Sequence, residues 1–139
     1  MQDSTLSGNS ALQGGAFFNF NSNPAVTNCT VIGNSASQGG GIYNYSGSMT
    51  VSGSTFTGNS ATDSGGGIYN TYIARLTISI CTFSGNSATN SGGGVINGSG
   101  ATLTVRGSTL LDNFAPLGAD LYNLGRLFAS GNVIGVTAP

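Results

Sequence analysis

Histidine, lysine, glutamate and tryptophan do not occur in the chain, and charged side chains of every kind make up 5% of its 139 residues. An ordinary soluble domain carries about 25%. Without histidine there is no Ser-His-Asp or Cys-His constellation and no imidazole metal ligand. Without lysine there is no P-loop lysine and no Schiff base. Arg75, Arg106 and Arg126, set against Asp3, Asp63, Asp112 and Asp120, make no basic field for a phosphate backbone, so nucleic acid is not an expected partner. No apolar run approaches the ~20 residues of a membrane span. The opening MQDSTLSGNS has neither a basic nor an apolar region and is not expected to act as a signal peptide. No cofactor and no metal are expected.

Glycine is abundant, at 24 residues, and low charge with high glycine is one signature of disorder. Internal repetition argues the other way. The asparagines of the G-N-S triplets, Asn9, Asn34, Asn59 and Asn86, recur with Asn113 at spacings of 25, 25, 27 and 27 residues. Each unit reads roughly S-T-Φ-x-G-N-S-A, then G-G-G-Φ-Y-N, a variable loop, and Φ-T-V-x-G. Each holds three short alternating segments separated by Gly, Asn and Ser, which reads as three strands and three turns. Nothing has helical periodicity with caps. The pattern predicts an all-β chain: one domain over residues 1–139, a parallel β-helix of about five coils of 24–27 residues with three strands per coil. The rule for parallel crossovers makes it right-handed.

Aligned units define ranks, positions that stack one coil above another. Leu6, Val31, Phe56, Phe83, Leu110 and Ile134 form an inward rank of the first strand. Phe17, Ile42, Ile68, Val95 and Leu121 do so in the second, and Val26, Val51, Ile78, Val105 and Ala129 in the third. Ala11, Ala36, Ala61, Ala88 and Ala115 fill a corner. Gly14, Gly39, Gly65, Gly92 and Gly118 mark a turn with positive φ or a close backbone approach. Asn19, Asn44, Asn70, Asn97 and Asn123 point inward and are expected to form an internal amide ladder. Cys29 and Cys81 share an inward rank two coils apart, about 9.6 Å, which is too far for a disulfide, so both are expected to be free, buried thiols.

The units resemble the repeats of the chlamydial polymorphic outer-membrane proteins, marked by G-G-A-aliphatic and F-x-x-N. The residues carrying the resemblance are Phe56-Thr57-Gly58-Asn59 with Gly66-Gly67-Ile68, Phe83-Ser84-Gly85-Asn86 with Gly93-Gly94-Val95, and Gly14-Gly15-Ala16-Phe17. Leu6, Val31 and Leu110 replace Phe in the other units. The resemblance implies a right-handed parallel β-helix displayed outside the cell or on its surface, often as an adhesin passenger.

Three surfaces are candidates for function. Thr5, Thr30, Thr55, Thr82 and Thr109 form an outward threonine face of the kind that meets ice on some β-solenoids, although threonine also simply favours strands. Phe18, Tyr43, Tyr69 and Tyr122 form, with Ile96, an outward stripe suited to sugars or a protein partner unless loops such as Asn19–Asn23 and Asn70–Ala74 cover it. The ends, Ser4, Thr5, Leu6 and Ser7 at one and Asn132, Val133 and Ile134 at the other, share a phase and do not read as caps. The tail Val136–Pro139 is short, and residues 1–3 look too few to cover an edge. Asp112, Asp120 and Arg106 are the only residues that suggest enzymatic chemistry, and they read better as solvated charges. The expectation is a non-enzymatic structural protein stacking head-to-tail into an extracellular homopolymer. The alternative is a segment of a cell-surface adhesin that binds glycans or host surface proteins through its solenoid face. Ice binding and carbohydrate chemistry are minor alternatives.

Overall fold

Each strand is short because a residue of positive φ ends it: Gly8, Gly33, Gly58, Gly85 and Asp112 close the successive strands of one face, with φ between 60° and 66°. The chain bends there and returns to the same place one coil higher. The computed structural model describes residues 1–138, so Pro139 of the tail lies outside the described residues.

All strand pairing is parallel and runs coil to coil. The first sheet stacks Thr5–Ser7, Thr30–Ile32, Thr55–Thr57, Thr82–Ser84, Thr109–Leu110 and Val133–Ile134. The second stacks Phe17–Asn19, Ile42–Asn44, Ile68–Asn70, Val95–Asn97, Leu121–Asn123 and Thr137–Ala138. The third stacks Ala25–Thr27, Ser48–Ser52, Arg75–Ser79, Thr102–Arg106 and Arg126–Ser130. Every expected rank is in register in these sheets, as in Leu6↔Val31, Ile68↔Val95 and Ile78↔Val105. The repeat therefore encodes a solenoid whose three faces enclose one continuous core. Phe56 and Phe83 stack at its centre with ring centroids 4.5 Å apart.

The expected three strands per coil hold in the first and fifth coils, and the three middle coils add a fourth. Ser35–Gln38, Ser60–Ser64 and Ser87–Ala88 pair as a fourth sheet at the corner, over Ala36, Ala61 and Ala88. The segment is rich in Ser and Ala, with Thr62 the one β-branched residue in its three strands, so its strand signal is weak; its strands form because the coils on either side supply partners. The adjacent glycines are required by space. A Cβ on Gly40 or Gly66 would overlap a backbone oxygen of the coil above. Gly14, Gly39, Gly65, Gly92 and Gly118 all have φ between 54° and 72°.

The ends also differ from expectation. Met1–Asp3 adds a rung beneath the third sheet: Thr27 N–H donates to Met1 O, Asp3 N–H donates to Thr27 O, and the Met1 ammonium donates to Ala25 O. Three residues are enough because one sheet needs only one short rung. At the other end the chain passes from Ile134 through Gly135 and Val136 straight to the second sheet, leaving out the corner. Leu127 and Ile134 are half-buried there, and Ala129, expected inside, is exposed because no rung covers it. Among the described residues no helix is long and apolar enough to cross a membrane.

Candidate functional site

The Asn19 rank lies inside the second sheet. Asn19 donates to Asn44 Oδ1, Asn44 to Asn70, Asn70 to Asn97 and Asn97 to Asn123, at 2.8–2.9 Å. The second amide proton of Asn70 and of Asn97 reaches the carbonyls of Thr102 and Arg126, which ties the turn after the second sheet to the start of the third.

A second ladder was not anticipated. Asn9, Asn34, Asn59, Asn86 and Asn113, which mark the repeat in the sequence, point inward behind the first sheet. Asn59 Nδ2 donates to Asn86 Oδ1 at 2.9 Å and to Val31 O at 2.8 Å. Its Oδ1 accepts the backbone and side-chain N–H groups of Asn34 at 3.0 Å each. Each carboxamide in the middle of the ladder is thus fully used, and among the described residues no buried side-chain nitrogen or oxygen lacks a partner. The unbroken recurrence of these asparagines was the available signal. Alternation could not be counted to them, because the positive-φ residue just before resets which face the next side chain takes.

Asp120 overturns the expectation of a solvated charge. It is buried, on a rank where the three middle coils carry Gly41, Gly67 and Gly94. Its Oδ1 accepts Asn113 N–H at 3.0 Å and Asn113 Nδ2 at 2.8 Å, and its Oδ2 accepts Val136 N–H at 2.7 Å. The carboxylate stands where the next asparagine would be, and so closes the ladder. Asp112 and Arg106 are exposed, Asp112 on the turn and Arg106 at the end of a third-sheet strand. No group of three His, Cys, Asp or Glu is placed to hold a metal among the described residues. Cys29 and Cys81 are free and buried. Burial pushes the Cys81 thiol upward, and hydrogen bonds to the Ser79 and Val51 carbonyls occupy it. A protonated, enclosed thiol is a poor nucleophile.

The threonine rank is in register through Thr5↔Thr30, Thr30↔Thr55, Thr55↔Thr82 and Thr82↔Thr109, and all but the half-buried Thr109 are exposed. The neighbouring rank, Ser7, Ile32, Thr57 and Ser84, is mixed.

The aromatic stripe is less open than an outward rank implies. Tyr43 is only 5% exposed and Ile96 is buried, while Tyr69 and Tyr122 are half-buried. A second column, Phe20, Tyr45 and Tyr72, stands beside the first, with Tyr43 and Tyr45 centroids 6.3 Å apart. Phe18, Tyr43 and Tyr69 are stacked at 5.5 and 5.3 Å. Burial, with the neighbouring tyrosines, raises the Tyr43 phenol's pKa. Rings stacked on one another spend their faces internally, so a sugar would meet mainly their edges. The covering rings Phe20 and Tyr72 come from the loops that the sequence already offered as covers.

The two ends remain open at the inward ranks. Leu6 and Phe17 are half-buried at one end. At the other lies a shallow depression lined by Ala129, Ser130, Gly131, Asn132 and Ile134. Thr5 and Ser7 are exposed and Ser4 half-buried; Val133 is exposed and Asn132 half-buried, with its Oδ1 accepting Ser108 N–H at 2.9 Å.

A family model described as right handed beta helix region matches residues 14–134. No curated protein and no solved structure matches the chain.

Proposed function

The chain belongs to the right-handed β-helix family, and from that footing we propose that it is a non-enzymatic structural protein whose coils stack head-to-tail on further copies into an extracellular filament. The family includes both enzymes and structural proteins. One observation carries the choice: the ranks of the first, second and third sheets repeat in register from coil to coil. In those three sheets the underside of one rung therefore matches the top of another, and the amide ladders give the coils one polarity. A surface complementary to itself by translation makes a heterologous contact that does not close. The absence of catalytic work is supported by Asp120, whose carboxylate is committed to Asn113 and Val136. The extracellular setting draws on the repeat resemblance to surface proteins.

The test is negative-stain electron microscopy of the purified chain with its mass measured across concentration. Uniform unbranched fibres are expected; a monomer at every concentration overturns the proposal. The second reading is a segment of a bacterial surface adhesin that holds host or matrix proteins along its flank. The exposed Phe18, Phe20 and Tyr72, joined through the stacked Tyr43 and Tyr45, favour it. Binding to immobilised matrix proteins that is lost in Tyr72→Ser would establish that reading.

A further inference from the structure

All three arginines of the chain stand on the outward side of the third sheet. Arg75 and Arg126 share a rank with Ser48 and Thr102, two rungs apart or about 9.6 Å. Arg106 lies on the rank of Ser52, Ser79 and Ser130, four residues further along the strand, about 13 Å. Each is exposed. The acids are elsewhere. Asp120 is inside, Asp63 sits on the corner with Gln38 and Asn90, and Asp112 closes a first-sheet strand. Asp3, on the turn rank of Ile80, is four rungs below Arg106, roughly 19 Å, and lies well beyond the ~8 Å Debye length of physiological salt. Scattered in sequence, the cations become one uncompensated face in the fold.

Each arginine has an exposed apolar neighbour. Ile73 stands two residues before Arg75 and, with Ala74 buried between them, takes the same side. Ile80 N–H donates to Arg106 O, and Phe128 stands two residues after Arg126. Ile73, Ile80 and Phe128 are 63%, 75% and 53% exposed. Ile80 is also strained, with φ 54° on a turn rank that carries Asn28, Gly53 and Gly107 in other coils. Strain without internal packing points to a contact made outside the chain. Arg75 and Ile80 lie in the third coil, with rungs above and below, so their exposure does not depend on where the rod stops.

We propose that this face docks the rod side-on to an anionic phospholipid bilayer, with the guanidinium groups on headgroup phosphates and Ile73, Ile80 and Phe128 in the interface beneath them. The mixture of side chains selects the occupant. Three cations are too few to hold a nucleic acid. A soluble polyanion engages arginines but has no use for the apolar side chains. A protein interface gathers apolar groups at a core and leaves charge to the rim, whereas Ile73 and Ile80 lie beyond opposite ends of the strand Arg75–Ser79. A bilayer surface takes cations and apolar groups side by side at any spacing. The inference concerns a flank, and stands whether or not copies stack end to end.

The test is flotation of the purified chain with vesicles of phosphatidylcholine, alone or mixed equally with phosphatidylglycerol. Fibres sediment, so floated protein is lipid-bound and the readout is independent of self-stacking. Binding is expected on the anionic vesicles only, and it should fall as salt rises. At about fivefold per arginine, Arg75→Gln, Arg106→Gln and Arg126→Gln together should weaken it about 100-fold. Ile80→Gly with Phe128→Thr should weaken it at least about fivefold, and Phe114→Ser, on the corner, should leave it unchanged. All variants are expected to keep the wild-type sheet circular dichroism; if the arginine variant does not, Arg126→Gln alone is measured against its own share of the loss. Equal binding to neutral vesicles, or binding to neither kind, overturns the proposal. So does an unchanged affinity in the arginine variant, or an equal loss in Phe114→Ser, which would place binding on another face. Binding that the arginine variant loses and the apolar pair keeps overturns the bilayer in favour of a soluble polyanion.

Discussion

In the third coil, Asn59 accepts two N–H groups from Asn34 and hands its own to Val31 and Asn86. In the fifth, Asn113 makes the same bonds to Asn86 and Phe83 and hands its remaining N–H to Asp120. Outside, the same two coils part company: the rank carrying Ser60 in one carries Phe114 in the other. Buried amides impose one arrangement wherever they occur, and change only where the stack stops. Outward positions are free of that demand and carry what distinguishes one coil from another.

The largest expected effect breaks the inside of the comparison at its middle. Asn59→Ala removes the acceptor of two buried donors and the donor to Val31 O, and should cost about 4 kcal/mol in a urea titration. Asn9→Ala, on the same rank but exposed in the first coil, should cost less than about 1 kcal/mol. Equal losses would mean that the ladder does not depend on burial.

Next, Asp120→Asn probes the ladder's end. An amide turned with its oxygen to Asn113 sets its NH2 against the Val136 N–H, which the carboxylate now accepts. The expected loss is about 2 kcal/mol, concentrated in faster amide exchange at Val136. Undiminished protection at Val136 would show that the carboxylate is not what holds the last rung.

The smallest effect runs the other way. Ile80 has φ 54° on the turn rank of Asn28, Gly53 and Gly107, and it is 75% exposed. A β-branched residue is strained there and packs against little. Ile80→Gly should stabilise the chain by about 1 kcal/mol, read as a higher urea midpoint. A lower midpoint would mean that Ile80 makes a contact worth more than its strain.

The solenoid was legible because a stacked repeat writes its own register. An inward Leu6, Val31, Phe56, Phe83 series at constant spacing leaves little freedom over which strand lies on which. The Asn19 ladder was legible because alternation from Phe17 reaches it without crossing a turn. The Asn59 ladder lies beyond a positive-φ glycine, where alternation stops carrying information. The fourth sheet was hidden because Ser and Ala have no strand preference of their own. Whether loops cover the aromatic stripe was left open by the sequence, because Phe20 and Tyr45 directly follow Asn19 and Asn44 but Tyr72 stands one position further from Asn70, in a longer loop whose course alternation does not fix.

By itself the sequence determined the period, the ranks, the interior and the lack of charge, since each follows from local alternation repeated at fixed spacing. Only the tertiary structure decided where Asp120 points, how residues 1–3 add a rung, which rings cover Tyr43, and that Arg75, Arg106 and Arg126 share one face. These depend on which atoms the packed coils bring within reach, as when Val136 meets Asp120, the Met1 ammonium meets Ala25 and Tyr69 stacks on Tyr43. Local pattern fixes where a side chain starts, and the packed coils fix what it meets.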